Sequence, residues 1–147
     1  MARNYTVQTK ILRPAAEVFA AIVSSDKLCH FFTERASGDL AEGAEIRWRW
    51  KHYDVELPVV VDKLIANELI QLTLDSKTWK KTTGESYPVK VIFEIEVLDD
   101  GNTMLSISEE GWKTDADGLK ASHDNCGGWM HMVTCLKAWI EHGIDLR

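Results

Sequence analysis

Positive charge is scarce in this 147-residue chain: 17 lysines and arginines face 23 acidic residues, a formal net charge of −6. A general nucleic-acid binder needs a cationic surface to replace the counterions along phosphates, so that class is excluded. An anionic membrane surface is excluded as a partner for the same reason. No apolar run approaches the roughly 20 residues of a membrane span. The opening MARNYTVQTK has no apolar stretch after its charged start, so no secretory signal is expected. Only three cysteines occur, Cys29, Cys126 and Cys135. An odd, small number argues against a disulfide framework and for reduced thiols in a cytoplasm. Linkers, repeats and low-complexity stretches are also missing, so residues 1–147 are expected to form one domain of ordinary size.

What the chain does have is tryptophan, six in all. Such large side chains are expected to line a core, a cavity or an interface. Residues 5–11 alternate, with Tyr5, Val7, Thr9 and Ile11 on one face, which reads as a half-buried strand. Arg13-Pro14 opens a helix at a position where proline's missing N–H costs nothing, with Ala15, Val18, Phe19 and Ile22 as its apolar stripe. Ser24 or Ser25 caps a second, short helix running from Asp26 towards Phe32. From residue 45 to 110 the period is two. Ile46, Trp48 and Trp50 share a face, with Arg47, Arg49 and Lys51 on the other. Residues 55–65 and 68–75 flank a turn at Ala66-Asn67. Val89, Val91, Phe93, Ile95 and Val97 precede a hairpin turn at 99–102 and a last strand from Met104. Such alternation fits a meandering antiparallel sheet with one dry face. The polar stretch Ser76–Pro88, carrying Trp79, reads as a long hairpin loop.

The tail reads as a helix from near Asp117 to His142, stopped by Gly143. Ser122, Cys126, Trp129, Val133, Leu136 and Ile140 recur at spacings of four and three and face the sheet. At ~1.5 Å per residue it is about 38 Å long, enough to cross the sheet. Gly127-Gly128 interrupts it at a cost of roughly 0.5–1 kcal/mol per glycine. Either a neighbour approaches too closely for a side chain, or the pair softens the helix over a cavity mouth.

Strand, two short helices, meander and long closing helix, in that order, resemble the START-like (SRPBCC) superfamily. The chain is most similar there to the group named for the activator of heat-shock protein 90 ATPase. The resemblance rests on Ile11-Leu12-Arg13-Pro14-Ala15-Ala16-Glu17-Val18-Phe19, on Gly38, Gly43 and Trp48, and on Glu109-Glu110-Gly111-Trp112. Asn125, Gly128-Trp129 and Leu136-Lys137-Ala138-Trp139-Ile140-Glu141 complete it. It implies an α+β helix-grip fold, a curved antiparallel sheet enclosing a cavity against the C-terminal helix. It does not imply one activity, because relatives include lipid carriers, hormone receptors, cyclases and co-chaperones.

Metal and nucleophile chemistry find little support. His123 and Cys126 share one helix face, as do His131 and Cys135, but the two pairs are rotated apart. No CxxC or HExxH pattern joins them, so no metal site is expected. Cys29 and His30 are adjacent and diverge by about 100° on a helix, which rules out a working pair. No G-x-S-x-G elbow or glycine-rich phosphate loop is present, and no cofactor is expected. The row of Arg47, Arg49 and Lys51 reads as a solvated outer face, with Glu94 and Glu96 as cross-strand partners.

Glu109 is the acidic group of interest. If Leu105 and Ile107 point inward, strand phase takes Glu109 inward beside Trp112, where burial raises its pKa. A bulge near Gly111 would instead leave it in water. Trp48, Trp50, Phe93, Trp112 and Trp129 all fall on the inward phase, with Asn125 one turn before Trp129. Three readings follow. A binding module would hold a hydrophobic or amphipathic small molecule between Trp48, Trp50, Phe93, Trp112, Trp129 and Val133, with Glu109 or Asn125 orienting it. A cyclase- or hydrolase-like enzyme would use Glu109 as acid or base. A stress-related interaction module would use the exposed sheet or the Trp79 loop. A homodimer or other protein partner stays open.

Overall fold

The computed structural model describes residues 2–50, 52, 54–78 and 84–147. Seven strands form one antiparallel sheet: β1 (Arg3–Ile11), β2 (Arg35–Ala36), β3 (Glu45–Trp50), β4 (Val55–Ile65), β5 (Leu69–Asp75), β6 (Pro88–Val97) and β7 (Thr103–Glu110). Their order is β1-β7-β6-β5-β4-β3-β2, so β2 to β7 meander and β1 closes onto the last strand. Between β1 and β2 come two short helices, α1 (Ala15–Val23) and α2 (Ser25–Leu28). A long helix, α3 (Ala116–His142), packs chiefly on β1 and also on β7. This is the helix-grip arrangement that the sequence resemblance implies.

Local chemistry explains the junctions that position the interior. Ser24 caps α2 by accepting from the Lys27 amide at 3.4 Å. Asp115 caps α3 by accepting from the Gly118 amide at 2.8 Å, and a Cβ at Gly118 would lie 2.1 Å from the Lys113 carbonyl oxygen. Only glycine fits so tight a start. At the end of β7, Gly111 adopts φ +107° with its α-carbon against the Pro88 carbonyl, which turns the chain so that Trp112 faces inward. Asn4 sits at a bulge in β1 and continues the ladder with its side chain, accepting from the Trp112 amide at 3.1 Å and donating to its carbonyl at 3.2 Å.

Most of the expected alternation is present, with four corrections. Val97 does not share the dry face: it is 66% exposed, because β6 outruns the helical layer there. The buried face of α3 is broader than a single stripe, since Ala121, Asn125, Met132 and Cys135 are buried while Cys126 and Ile140 are only partly so. A Cβ at Gly127 or Gly128 would meet nothing within 4 Å, so close approach does not explain the pair. Both lie on the exposed face of an unbroken helix. Finally, Glu94 pairs with Arg3 at 2.5 Å, and Arg49 pairs with Asp54 at 3.6 Å and Glu56 at 4.0 Å. Strands β4 and β5 stand between the arginine row and β6, so the expected Glu94 and Glu96 partners are out of reach. Lys51 of that row, and Trp79 of the 76–88 loop, lie outside the described residues.

Candidate functional site

The interior between the sheet and α3 has two ends of different chemistry. At one end Glu109 points inward and is fully buried, as the phase of β7 dictates; the bulge that shifts register lies in β1 instead. The alternative of a solvated Glu109 is thereby removed. Four donors from three parts of the chain converge on its carboxyl group. Tyr5 of β1 donates its hydroxyl to Oε1, and Trp112 donates its indole N–H to the same oxygen at 2.9 Å. From α3, Asn125 donates to Oε2 at 3.2 Å and Trp129 donates its indole N–H to Oε2 at 3.1 Å. A carboxylate offers about four acceptor positions, so all are in use.

Burial holds the Glu109 carboxyl above the usual carboxylate range, and the four donors pull it back only in part. Burial, followed by the neighbouring Glu109 charge, pushes the Tyr5 phenol far upward, so Tyr5 stays protonated. Tyr5 is also the partner with freedom to reverse: its hydroxyl donates to the carboxylate and accepts from the carboxylic acid. The two indole N–H groups only donate. No lone pair on Glu109 is left for a substrate proton unless a donor first moves away.

The other end is apolar. Trp48 and Trp50 project from β3, Phe93 from β6 and Trp129 from α3, joined by Phe32 from the segment after α2. Phe32 lies 5.3 Å from Trp48 and 5.0 Å from Trp50, both edge-on, and 5.5 Å from Trp129. Phe93 meets Trp129 edge-on at 5.5 Å. Val133 is buried one turn along α3. Such edge-to-face pairs are favourable geometries worth about 0.5–1.5 kcal/mol each beyond their area. These side chains belong to the main buried cluster of the molecule, with Phe32 packed against it. One polar atom there is unsatisfied: the Trp48 indole N–H is buried with no acceptor. Neighbouring rings offer only π-electrons, a second-order substitute.

The expected site residues therefore divide. Trp48, Trp50, Phe93, Trp129 and Val133 come together. Trp112 does not join them: it packs with Val89, Ala121 and Tyr87 on the far side of Glu109, reached through its indole nitrogen. Asn125 lies against Glu109 rather than among the rings. Two residues of the site, Tyr5 and Phe32, were not foreseen. Tyr5 sits on the inward phase of β1, and its pairing opposite Glu109 follows once β1 is placed beside β7. Phe32 lies in an irregular segment where no periodicity marks it.

The helix histidines and cysteines form no centre. His131 Nε2 lies 3.5 Å from Cys135 Sγ, and among the described residues no three His, Cys, Asp or Glu side chains converge. All three cysteines are free, and no helix among the described residues is long and apolar enough to cross a membrane.

Comparison with known proteins places the fold. Protein SSP2350 from Staphylococcus saprophyticus shares 25% identity over 97% of this chain and 94% of its own, with a TM-score of 0.77. The Aha1 dimer from Colwellia psychrerythraea shares 19% identity over 97% of this chain and 98% of its own, with a TM-score of 0.73. DynU16, a protein of the dynemicin biosynthetic locus, shares 16% identity with a TM-score of 0.79; the alignment covers 97% of this chain and 48% of DynU16. No curated protein matches the sequence. Residues 13–141 match the family described as activator of Hsp90 ATPase homolog 1-like protein, a span from the start of α1 almost to the end of α3. The chain belongs to that family.

Proposed function

We propose that this protein binds a small hydrophobic or amphipathic molecule in the interior between the sheet and α3, at the aromatic end. The observation that carries the reading is the Trp48 indole N–H, buried among apolar rings with no acceptor among the described residues. An unsatisfied buried donor costs about 1–3 kcal/mol, a cost that a ligand oxygen would remove. Apolar walls with one placed polar group are the usual design of a small-molecule site. Trp48, Trp50, Phe93, Trp129 and Val133 form the walls. Glu109 and Asn125 hold α3 against β1 and β7, with Trp112 behind them. The full use of Glu109's acceptor positions speaks against acid or base catalysis by it. The free cysteines fit a reducing, cytoplasmic setting. A homodimer, the state of the Colwellia relative, is a secondary part of the proposal and is read directly by light scattering.

The test is a titration with fatty acids, sterols and flavonoid-like aromatics, followed by intrinsic tryptophan fluorescence. Saturable quenching at micromolar concentration, weakened in Trp129→Phe, is expected. A flat response to every compound would mean that the interior is simply core, and the role would then be sought in a protein partner.

A further inference from the structure

Phe31 and Phe32 are neighbours with different surroundings. Phe31 is 1% exposed and stacks on Trp139 with ring centroids 5.6 Å apart. Phe32 is only half-buried, yet three of the deepest aromatics in the molecule are its ring partners. The main chain here is fixed on both sides. The Phe32 amide donates to the Leu28 carbonyl at 2.9 Å, and the Glu34 amide donates to the Arg49 carbonyl at 2.9 Å. Rotation of the Phe32 side chain is therefore enough to vacate its position, with Phe31 holding the segment in place.

Vacating it would expose a slot the width of one aromatic ring. Its walls are the rings of Trp48, Trp50 and Trp129, and Trp48 is the residue that carries the unpaired N–H. A phenyl ring packs against these walls but offers the Trp48 indole no acceptor. Resting on the binding reading above, we propose that Phe32 stands in for the ligand's own ring. The ligand is then a planar aromatic molecule bearing an oxygen acceptor, a ketone or ether, that displaces Phe32 and takes the Trp48 N–H hydrogen bond. Phe32 sets both the size of the ring admitted and the affinity, because the apparent affinity falls with the fraction of molecules in which the slot is vacant.

Calorimetry with acetophenone, a planar ring with a carbonyl acceptor, tests this on the intact chain. Phe32→Ala is expected to bind it at least about tenfold more tightly than the wild type, since the competing ring is gone. The near-isostere α-methylstyrene, which lacks the acceptor, is expected to bind Phe32→Ala several-fold more weakly than acetophenone. Should Phe32→Ala not fold, Phe32→Leu keeps an apolar side chain and is expected to show the same order with a smaller gain. Equal acetophenone affinity in wild type and variant, or equal affinity for the two probes, would overturn the assignment. Laurate binding by the wild type that is unchanged in the Phe32 variants would overturn the role of Phe32 while leaving the interior site standing. No heat with either aromatic probe or laurate in any of the proteins would overturn both.

Discussion

The two ends of the interior are built from the same residue type and reach opposite outcomes. At the Glu109 end, the indoles of Trp112 and Trp129 each have an acceptor, and Glu109, Tyr5 and Asn125 are engaged with them. At the aromatic end, an equally buried indole, Trp48, has none. A satisfied polar network in a low-dielectric interior fixes one arrangement of the elements it joins, here β1, β7 and α3. An unsatisfied donor stores a cost that only a new partner relieves. The contrast distinguishes an end whose polar groups are paired from an end that leaves a buried donor unpaired among the described residues. Trp129 belongs to both, with its nitrogen on Glu109 and its ring against Phe32 and Phe93.

The largest effect is expected at Glu109. In Glu109→Gln the side-chain amide leaves one indole N–H without an acceptor whichever way it faces, because Tyr5 and Asn125 can reverse and the indoles cannot. A loss of about 2–3 kcal/mol in urea unfolding follows. The same pair carries a pH signature. Folding raises the Glu109 pKa above its ordinary value of 4.5. Its contribution is therefore fully present below pH 4.5 and is lost as the pH rises through the raised folded value. The stability gap between wild type and Glu109→Gln should narrow over that rise; a gap that widens with pH would show that the donors outweigh desolvation.

One substitution made at three positions sharpens the comparison. Trp112→Phe and Trp129→Phe remove a made hydrogen bond as well as ring volume, and about 1–2 kcal/mol each is expected. Trp48→Phe removes the same volume but also deletes the stranded donor, so it should cost less than about 1 kcal/mol and be the mildest of the three. Equal losses at all three in thermal or urea unfolding would erase the distinction between the ends.

Most of the sheet was legible in the sequence because a strand with one dry face writes its burial every second residue. Ile46, Trp48 and Trp50, or Leu105, Ile107 and Glu109, are read by phase alone. The long helix was legible from its spacing and from Gly143. What period cannot convey is who lies opposite whom. Trp112 shares the inward phase with Trp48 yet belongs to a different cluster, because Gly111 turns it behind Glu109. The row at Arg47 and Arg49 lies out of reach of Glu94 and Glu96 because strand order, not strand face, sets cross-strand pairs. Phe32 was invisible because irregular backbone carries no phase, and Tyr5 because its role depends on a strand about a hundred residues away.

The smallest effect is expected at the helix pair that faces neither end. Gly127 and Gly128 are exposed with open space around each. Gly127→Ala and Gly128→Ala should each stabilise by about 0.5–1 kcal/mol, through propensity alone. A loss of stability there would show that the outer face of α3 is packed against something in solution.

The most direct test of the distinction between the two ends follows the indole N–H resonances in a nitrogen-15 spectrum during titration with acetophenone. The Trp48 N–H, assigned by its disappearance in Trp48→Phe, should move downfield to saturation while the Trp112 N–H stays in place. A Trp112 N–H that moves while Trp48 does not would contradict the account, and would place the ligand at Glu109 instead.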